Sequence, residues 1–213
     1  MGSPTIASGS VQLNYGALNR TESFSTALDT LIYSNNFKNF NYCDRRIIQS
    51  SDQDLARGDI SLGQVGLLMI KNLNDYGDLQ VDLNYVSSYV ADLVIPPGAV
   101  NVVHSAQTGS QPIKFRCALT QMTSIGVTSV ATNGDIVFDS GVANPCTATM
   151  QRTSGGGSGT DYYIVKISAA NTGVVYDIGG NTTADLNTGT IYNSSTVVTI
   201  TPHVDYRTIV TEM

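Results

Sequence analysis

The chain has no tryptophan, two histidines, three cysteines and only two glutamates, Glu22 and Glu212, in 213 residues. Each shortage closes off chemistry. Paired carboxylates for glycoside cleavage would have to be aspartates. A nucleophile activated by a base needs histidine as a rule, and His104 and His203 sit in no recognisable motif. His203-Val204-Asp205 puts a histidine and a carboxylate on one face of a strand, a spacing that can serve a metal, but no third ligand accompanies them. Ser158 lies in the run Arg152-Thr-Ser-Gly-Gly-Gly-Ser-Gly-Thr160, whose glycine spacing does not make a Gly-x-Ser-x-Gly elbow. The run does not end in the Lys-Ser or Lys-Thr of a phosphate cradle either. The expectation is a protein that is not an enzyme, with no catalytic, cofactor-binding or metal-ligating residues.

Charge is also scarce. Charged side chains supply 13% of the residues, about half the share usual in soluble domains, so polarity comes mainly from Ser, Thr, Asn and Gly. The net charge of −6 and a pI near 4.6 argue against a nucleic-acid binder, which needs clustered Lys and Arg. The one compact basic pair, Arg45-Arg46, reads as a solvated pair beside a strand. No apolar run approaches the ~20 residues of a membrane span. The first residues lack the basic and apolar segments of a secretion signal, and Thr5-Ile6 leaves a myristoylation pattern after Gly2 unfilled, so a soluble protein is expected. Cys43, Cys117 and Cys146 are far apart and odd in number. Buried free thiols are the simplest account, with one disulfide and a spare thiol the alternative. Arg57-Gly58-Asp59 reads as a turn entering a strand rather than an adhesion motif, and the sequons at Asn19, Asn181 and Asn193 as chance in an Asn- and Thr-rich chain.

What the chain does have is β-forming sequence. Hydrophobic residues reach 41%, enough for a real core, and Val and Thr recur in runs such as Thr196-Val-Val-Thr-Ile-Thr201, which crowd a helix and suit a pleated sheet. The spacing predicts an all-β protein, an antiparallel β-sandwich or β-barrel-like fold. Residues 64–71 are apolar on both faces, as in a strand buried between two layers. After the turn Asn74-Asp75-Tyr76-Gly77-Asp78, the alternation of Leu79, Val81, Leu83 and Tyr85 predicts the second arm of a hairpin with one wet face. Further strands are expected over 89–95, 100–103 and 113–119, with a tight turn at Pro96-Pro97-Gly98. Past Gln121 the composition shifts to Thr, Gly and Asn, with candidate strands over 124–131, 135–139, 161–168 and 173–178. Two closing strands are expected over 196–201 and 206–210. Tyr162 and Tyr163 would point to opposite faces of their strand, the outward one a possible interface anchor.

Three regions follow. Residues 1–41 form an extended N-terminal arm with at most one short helix, capped by Ser23 or Ser25 and showing Leu28, Leu31 and Ile32 on one face. Residues 42–120 form a β-sandwich core, and residues 121–213 a β-rich insertion or second β domain with a closing strand.

Four segments, Gly66-Leu-Leu-Met-Ile-Lys-Asn-Leu73, Leu79-Gln-Val-Asp-Leu83, Leu93-Val-Ile-Pro-Pro-Gly-Ala-Val100 and Ile113-Lys-Phe-Arg-Cys-Ala118, resemble small β-sandwich virion proteins of tailed bacteriophages. Asp205-Tyr-Arg-Thr-Ile-Val-Thr-Glu212 resembles their closing strand. The resemblance implies a structural protein of the virion, decorating the head or serving as a connector or tail component. Its partners would be copies of itself, as a homo-oligomer, and other virion proteins such as the major capsid protein. A carbohydrate- or surface-binding β-sandwich module is the alternative, which the absence of tryptophan disfavours.

Overall fold

The computed structural model of the chain describes residues 6–15, 18–27, 40–48, 51–104, 111–131, 133–155, 162–176 and 195–212. Among them every regular element is a strand. The first two, β1 (Ile6–Tyr15) and β2 (Leu18–Ala27), form an antiparallel ribbon in register from Ile6↔Ala27 to Tyr15↔Leu18, and neither pairs with a third strand among the described residues. Ser23 and Ser25 therefore lie within β2 rather than capping a helix, because their Ser- and Thr-rich surroundings alternate as a strand does. Leu28, Leu31 and Ile32 fall outside the described residues.

The next strands are β3 (Phe40–Ile48), β4 (Gln53–Asp54), β5 (Val65–Asn72), β6 (Leu79–Asp82), β7 (Leu93–Ile95), β8 (Val100–His104) and β9 (Lys114–Cys117). Then follow β10 (Met122–Val130), β11 (Asp135–Phe138), β12 (Cys146–Ser154), β13 (Tyr162–Ala169), β14 (Thr172–Tyr176) and β15 (Val197–Glu212). One sheet runs β3-β15-β5-β8 and a second runs β4-β9-β6-β7, all antiparallel. Between them lies a core to which the first sheet contributes Leu68, Ile70 and Val204 and the second Leu79, Val81 and Ile95. Tyr206 of β15 stacks on Phe115 of β9 across that core, ring centroids 4.7 Å apart, and its hydroxyl donates to Gln53 Oε1 at 2.8 Å. The chain changes sheet at every connection except β6 to β7. This order and pairing are those of an eight-stranded jelly roll, two interlocked Greek keys.

Between the seventh and eighth strands of that jelly roll the chain builds a second body. β10 pairs with β11, β11 with β14, β14 with β13, β13 with β12, β12 with β15, and β15 with β10, so six antiparallel strands close into a ring. Its interior is filled by Ile136, Phe138, Met150, Val165, Ile167 and Ile200, with Ala148 and Cys146 where space is short. Closure removes the free edges that an open sheet must otherwise protect. It also demands close approach: a Cβ on Gly173, which pairs with both Ile136 and Ile167, would lie 2.6 Å from the Lys166 carbonyl oxygen.

β15 belongs to both bodies. Val197 to Pro202 pairs with β12 and, as far as Ile200, with β10; His203 to Thr211 pairs with β3 and Tyr206 to Glu212 with β5. The two closing strands expected from sequence are thus one 16-residue strand. Pro202 made the segment look broken. It sits in the gap between the β10 and β3 ladders, where a missing N–H costs least.

Two further expectations are corrected. β5 and β6 do not form a hairpin: they lie in opposite sheets, and Asn74–Asp78 carries the chain across the sandwich. Nor is β5 buried on both faces, since Leu68 and Ile70 are buried while Leu67, Met69 and Lys71 on the other face are only half-buried.

Candidate functional site

Two places concentrate features that the fold alone does not require. The first is the outer face of the β3-β15-β5-β8 sheet. Residues paired directly across antiparallel strands share a face, so the register sets Tyr42, Ile209, Met69 and Val102 in one row across all four strands. The next row is Asp44, Arg207, Lys71 and Val100. At the edges the apolar side chains stand well out of the protein: Tyr42 is 50% exposed, Val100 52% and Val102 45%. Arg207 donates to Asp44 through two 2.8 Å bonds and lies over the Tyr42 ring, and Arg46 grips Asp205 at 2.6 and 2.8 Å. The bidentate bond from Arg207 holds the Asp44 carboxyl below the usual carboxylate range. These exposed pairs fix side-chain positions more than they stabilise the fold. Lys71 has no carboxylate partner among the described residues.

The second place is the joint where β15 passes from barrel to jelly roll. β5 ends at Asn72, before β15 has met β12, and the side-chain amide of Asn74 fills the interval. Its Nδ2 donates to the His203 carbonyl at 2.7 Å and its Oδ1 accepts from the Asp205 N–H at 3.1 Å. The buried Asn72 holds this loop, accepting from the Asn74 N–H and donating to the carbonyls of Gly77 and Ile95. The loop then reaches the barrel. The Tyr76 carbonyl accepts from the Thr147 N–H at 3.3 Å, and Asp75 pairs with Lys166. Beside it opens a cleft of about 430 Å³ lined by residues that include Tyr76, Asp78, Pro97, Leu119 and Asn144.

His203 occupies this joint and breaks the pattern of its strand. From Val197 to Val210 the even-numbered residues of β15 are buried and the odd-numbered ones half-buried, but His203 is 1% exposed and neither ring nitrogen has a hydrogen-bond partner. Burial, reinforced by the Arg46 cation and opposed by Asp205, pushes its pKa down to about 4. The ring is therefore neutral near pH 7.

The residues singled out in sequence are scattered. His104 pairs with Leu67, level with Thr211, eight residues along β15 from His203 and so about 27 Å away at the usual strand rise. Asp205 is committed to Arg46. An enzyme site joining His104, His203 and Asp205 is not assembled, and no group of three potential metal ligands occurs among the described residues. Arg57-Gly58-Asp59 is a turn: Arg57 bonds the Ile60 carbonyl, Gly58 has φ +58°, and the Ile60 N–H returns to the Arg57 carbonyl at 3.2 Å. Arg45 donates to the Asp54 carbonyl at 3.2 Å. Cys43, Cys117 and Cys146 are free thiols, and burial pushes that of Cys146 up to about 12. Tyr163 packs half-buried on the barrel core. Ser158, Asn181 and Asn193 lie outside the described residues, and Asn19 is in β2.

Sequence reading missed the outer face as a site, although its signal was present: a strand apolar on both faces, next to a sheet with one core. It also missed Asn72 and Asn74, which look like any polar turn until their partners are known. Comparison with protein-family models, curated proteins and solved structures found no match.

Proposed function

We propose that this chain is a non-catalytic structural protein of a virion, decorating or stabilising a bacteriophage capsid through contacts between subunits. The observation that carries the proposal is the outer face of the β3-β15-β5-β8 sheet, which presents Tyr42, Met69, Val100, Val102 and Ile209 in adjacent rows, with no second layer over them among the described residues. Apolar surface gathered on one face is a mark of association. The jelly-roll order adds support by analogy, since that architecture recurs in capsid and lectin domains. The resemblance of its strands to bacteriophage virion proteins points the same way. In this reading the partners are copies of the chain and a major capsid protein, the location is the virion, and the chain performs no chemistry.

The test is binding to purified shells that lack decoration. Saturable, stoichiometric co-sedimentation supports the proposal; binding to isolated tails or connectors instead moves the chain to that part of the particle. No binding to any of these, from a chain that stays monomeric, overturns it. A carbohydrate-binding module is the second reading, favoured by the cleft at the joint, where Tyr76 offers a ring and Asp78 and Asn144 offer polar groups. Glycan-array binding that is lost in Asp78→Ala would favour it.

A further inference from the structure

The outer sheet face and the N-terminal ribbon each lack something the other has. A two-stranded ribbon is marginal in water unless a third strand or a packed face supports it, and β1 and β2 pair only with each other among the described residues. Their register divides them into two sets. Ile6↔Ala27, Ser8↔Ser25, Ser10↔Ser23, Gln12↔Thr21 and Asn14↔Asn19 occupy one, whereas Ala7↔Thr26, Gly9↔Phe24, Val11↔Glu22, Leu13↔Arg20 and Tyr15↔Leu18 occupy the other. The first set is polar apart from Ile6↔Ala27 at the ribbon's open end, and the second holds Val11, Leu13, Tyr15, Leu18 and Phe24. Successive paired positions alternate between the faces of a ribbon, so one face has the composition of a surface that needs cover.

Among the described residues nothing covers the edges of the face: Tyr42, Val100 and Val102 expose about half of their surface. Twelve residues lie between Ala27 and Phe40, 40 − 27 − 1. At about 3.3 Å each they can reach roughly 40 Å, far enough for the ribbon to lie on a neighbour.

We infer that β1 and β2 of one copy dock on the outer face of the β3-β15-β5-β8 sheet of a second copy, each copy giving its ribbon to the other. This rests on the reading of the chain as an associating subunit and names the surface and the partner. The dimensions fit: the face is about 14 Å across at strand spacing and about 27 Å long over the eight residues of β5, and the ribbon is about 10 Å wide and 33 Å long. One docked ribbon covers about 270 Å² of that face. A reciprocal exchange, counting both surfaces of both contacts, removes about 1,100 Å² from water, near the lower end for specific interfaces, and a single contact, about half of that, falls among weak and transient pairs. Two-fold exchange is also the commonest way for identical chains to close. Charge is compatible, with Arg20 and Glu22 in the apolar set of the ribbon and the row Asp44, Arg207 and Lys71 on the sheet.

The experiment uses three full-length chains: the unaltered protein, Leu13→Asp in the ribbon and Val102→Asp on the face. Sedimentation velocity over a concentration series reads their association, and circular dichroism verifies that each retains its strands. Tyr42→Asp, at the opposite edge of the face, replaces Val102→Asp if that variant does not fold. The unaltered chain is expected to dimerise and each variant to associate at least 100-fold more weakly. Mixing the two variants is expected to restore a one-to-one heterodimer weaker than the unaltered dimer, because one intact ribbon meets one intact face. A chain monomeric at every concentration, variants that dimerise normally, or a mixture without heterodimer overturns the exchange. Shell binding separates this from the wider reading: variants that bind shells as the unaltered chain does leave the capsid role standing while the exchange falls, and exchange without shell binding does the reverse.

Discussion

The barrel and the jelly roll solve the same problem differently. Six strands of the barrel return to their starting neighbour, so its backbone groups are paired all round and its apolar residues point into one enclosed core. The jelly roll stays open. It encloses its core between two sheets and keeps an outer face with apolar side chains across all four strands of one of them. A closed ring has no edge to offer a partner, and an open sandwich has both edges and faces. Under the proposed function, association falls to the jelly roll, and the barrel is a self-contained attachment. β15, common to both, prevents the two from being independent.

The strongest test of that dependence is a paired truncation in the two cores. Phe115→Ala removes the ring that stacks on Tyr206 in the jelly roll, and Phe138→Ala removes a fully buried ring from the barrel. Each is expected to cost about 3–5 kcal/mol. Because one strand serves both cores, tyrosine fluorescence and far-ultraviolet dichroism should report a single shared transition in thermal unfolding for either variant. Two separated transitions would show that the bodies unfold apart.

Acid should act at the joint. The pKa of His203 is depressed in the folded chain to about 4 from an ordinary value of 6.5, so the unfolded chain takes up the proton first. Its contribution is whole above about pH 6.5 and is lost as pH falls towards 4, on the order of 3 kcal/mol across that window. Denaturant midpoints at pH 7, 5.5 and 4.5 should fall in that order, and His203→Met should flatten the fall. A variant with the same slope would place the acid sensitivity elsewhere.

A smaller effect is expected from Asn74→Ala, which leaves the buried His203 carbonyl and the Asp205 N–H without the partner that replaces a strand there. About 1–3 kcal/mol should be lost. Amide exchange at Asp205 should quicken before that at Ile200, which lies inside the barrel ladders.

Periodicity made much of this fold legible. The alternation of Ile113, Phe115 and Cys117 places β9 and its buried side correctly, and the patterns at 124–131, 135–139, 161–168 and 173–178 overlie β10, β11, β13 and β14. β12 escaped notice because its inward residues are Cys146, Ala148, Met150 and Arg152, a small and partly polar set with little hydrophobic signal. β3 escaped as well: it is a sheet-edge strand whose outward positions include Asp44 and Arg46. Which strands pair could not be read at all, since the Asn74–Asp78 turn suits a hairpin as well as a crossing, and the choice is made by Asn74 contacting residues 129 and 131 positions away while Asn72 holds the loop to Gly77 and Ile95. The candidate site was half-visible, as the two-sided apolar pattern of 64–71, because a row across four strands exists only after register is known.

The shared strand also sets a timetable. β15 is the last described element in chain order, and its ion pairs to β3 join residues 159 and 163 positions apart. As the chain emerges from a ribosome, β3 to β9 form an incomplete sandwich and β10 to β14 an incomplete ring, each with an open slot. One strand must then enter both slots. Long-range closure of this kind is slow, so the partly made chain exposes two strand-shaped vacancies at once, and crowded synthesis is when this protein is most prone to pair with the wrong copy.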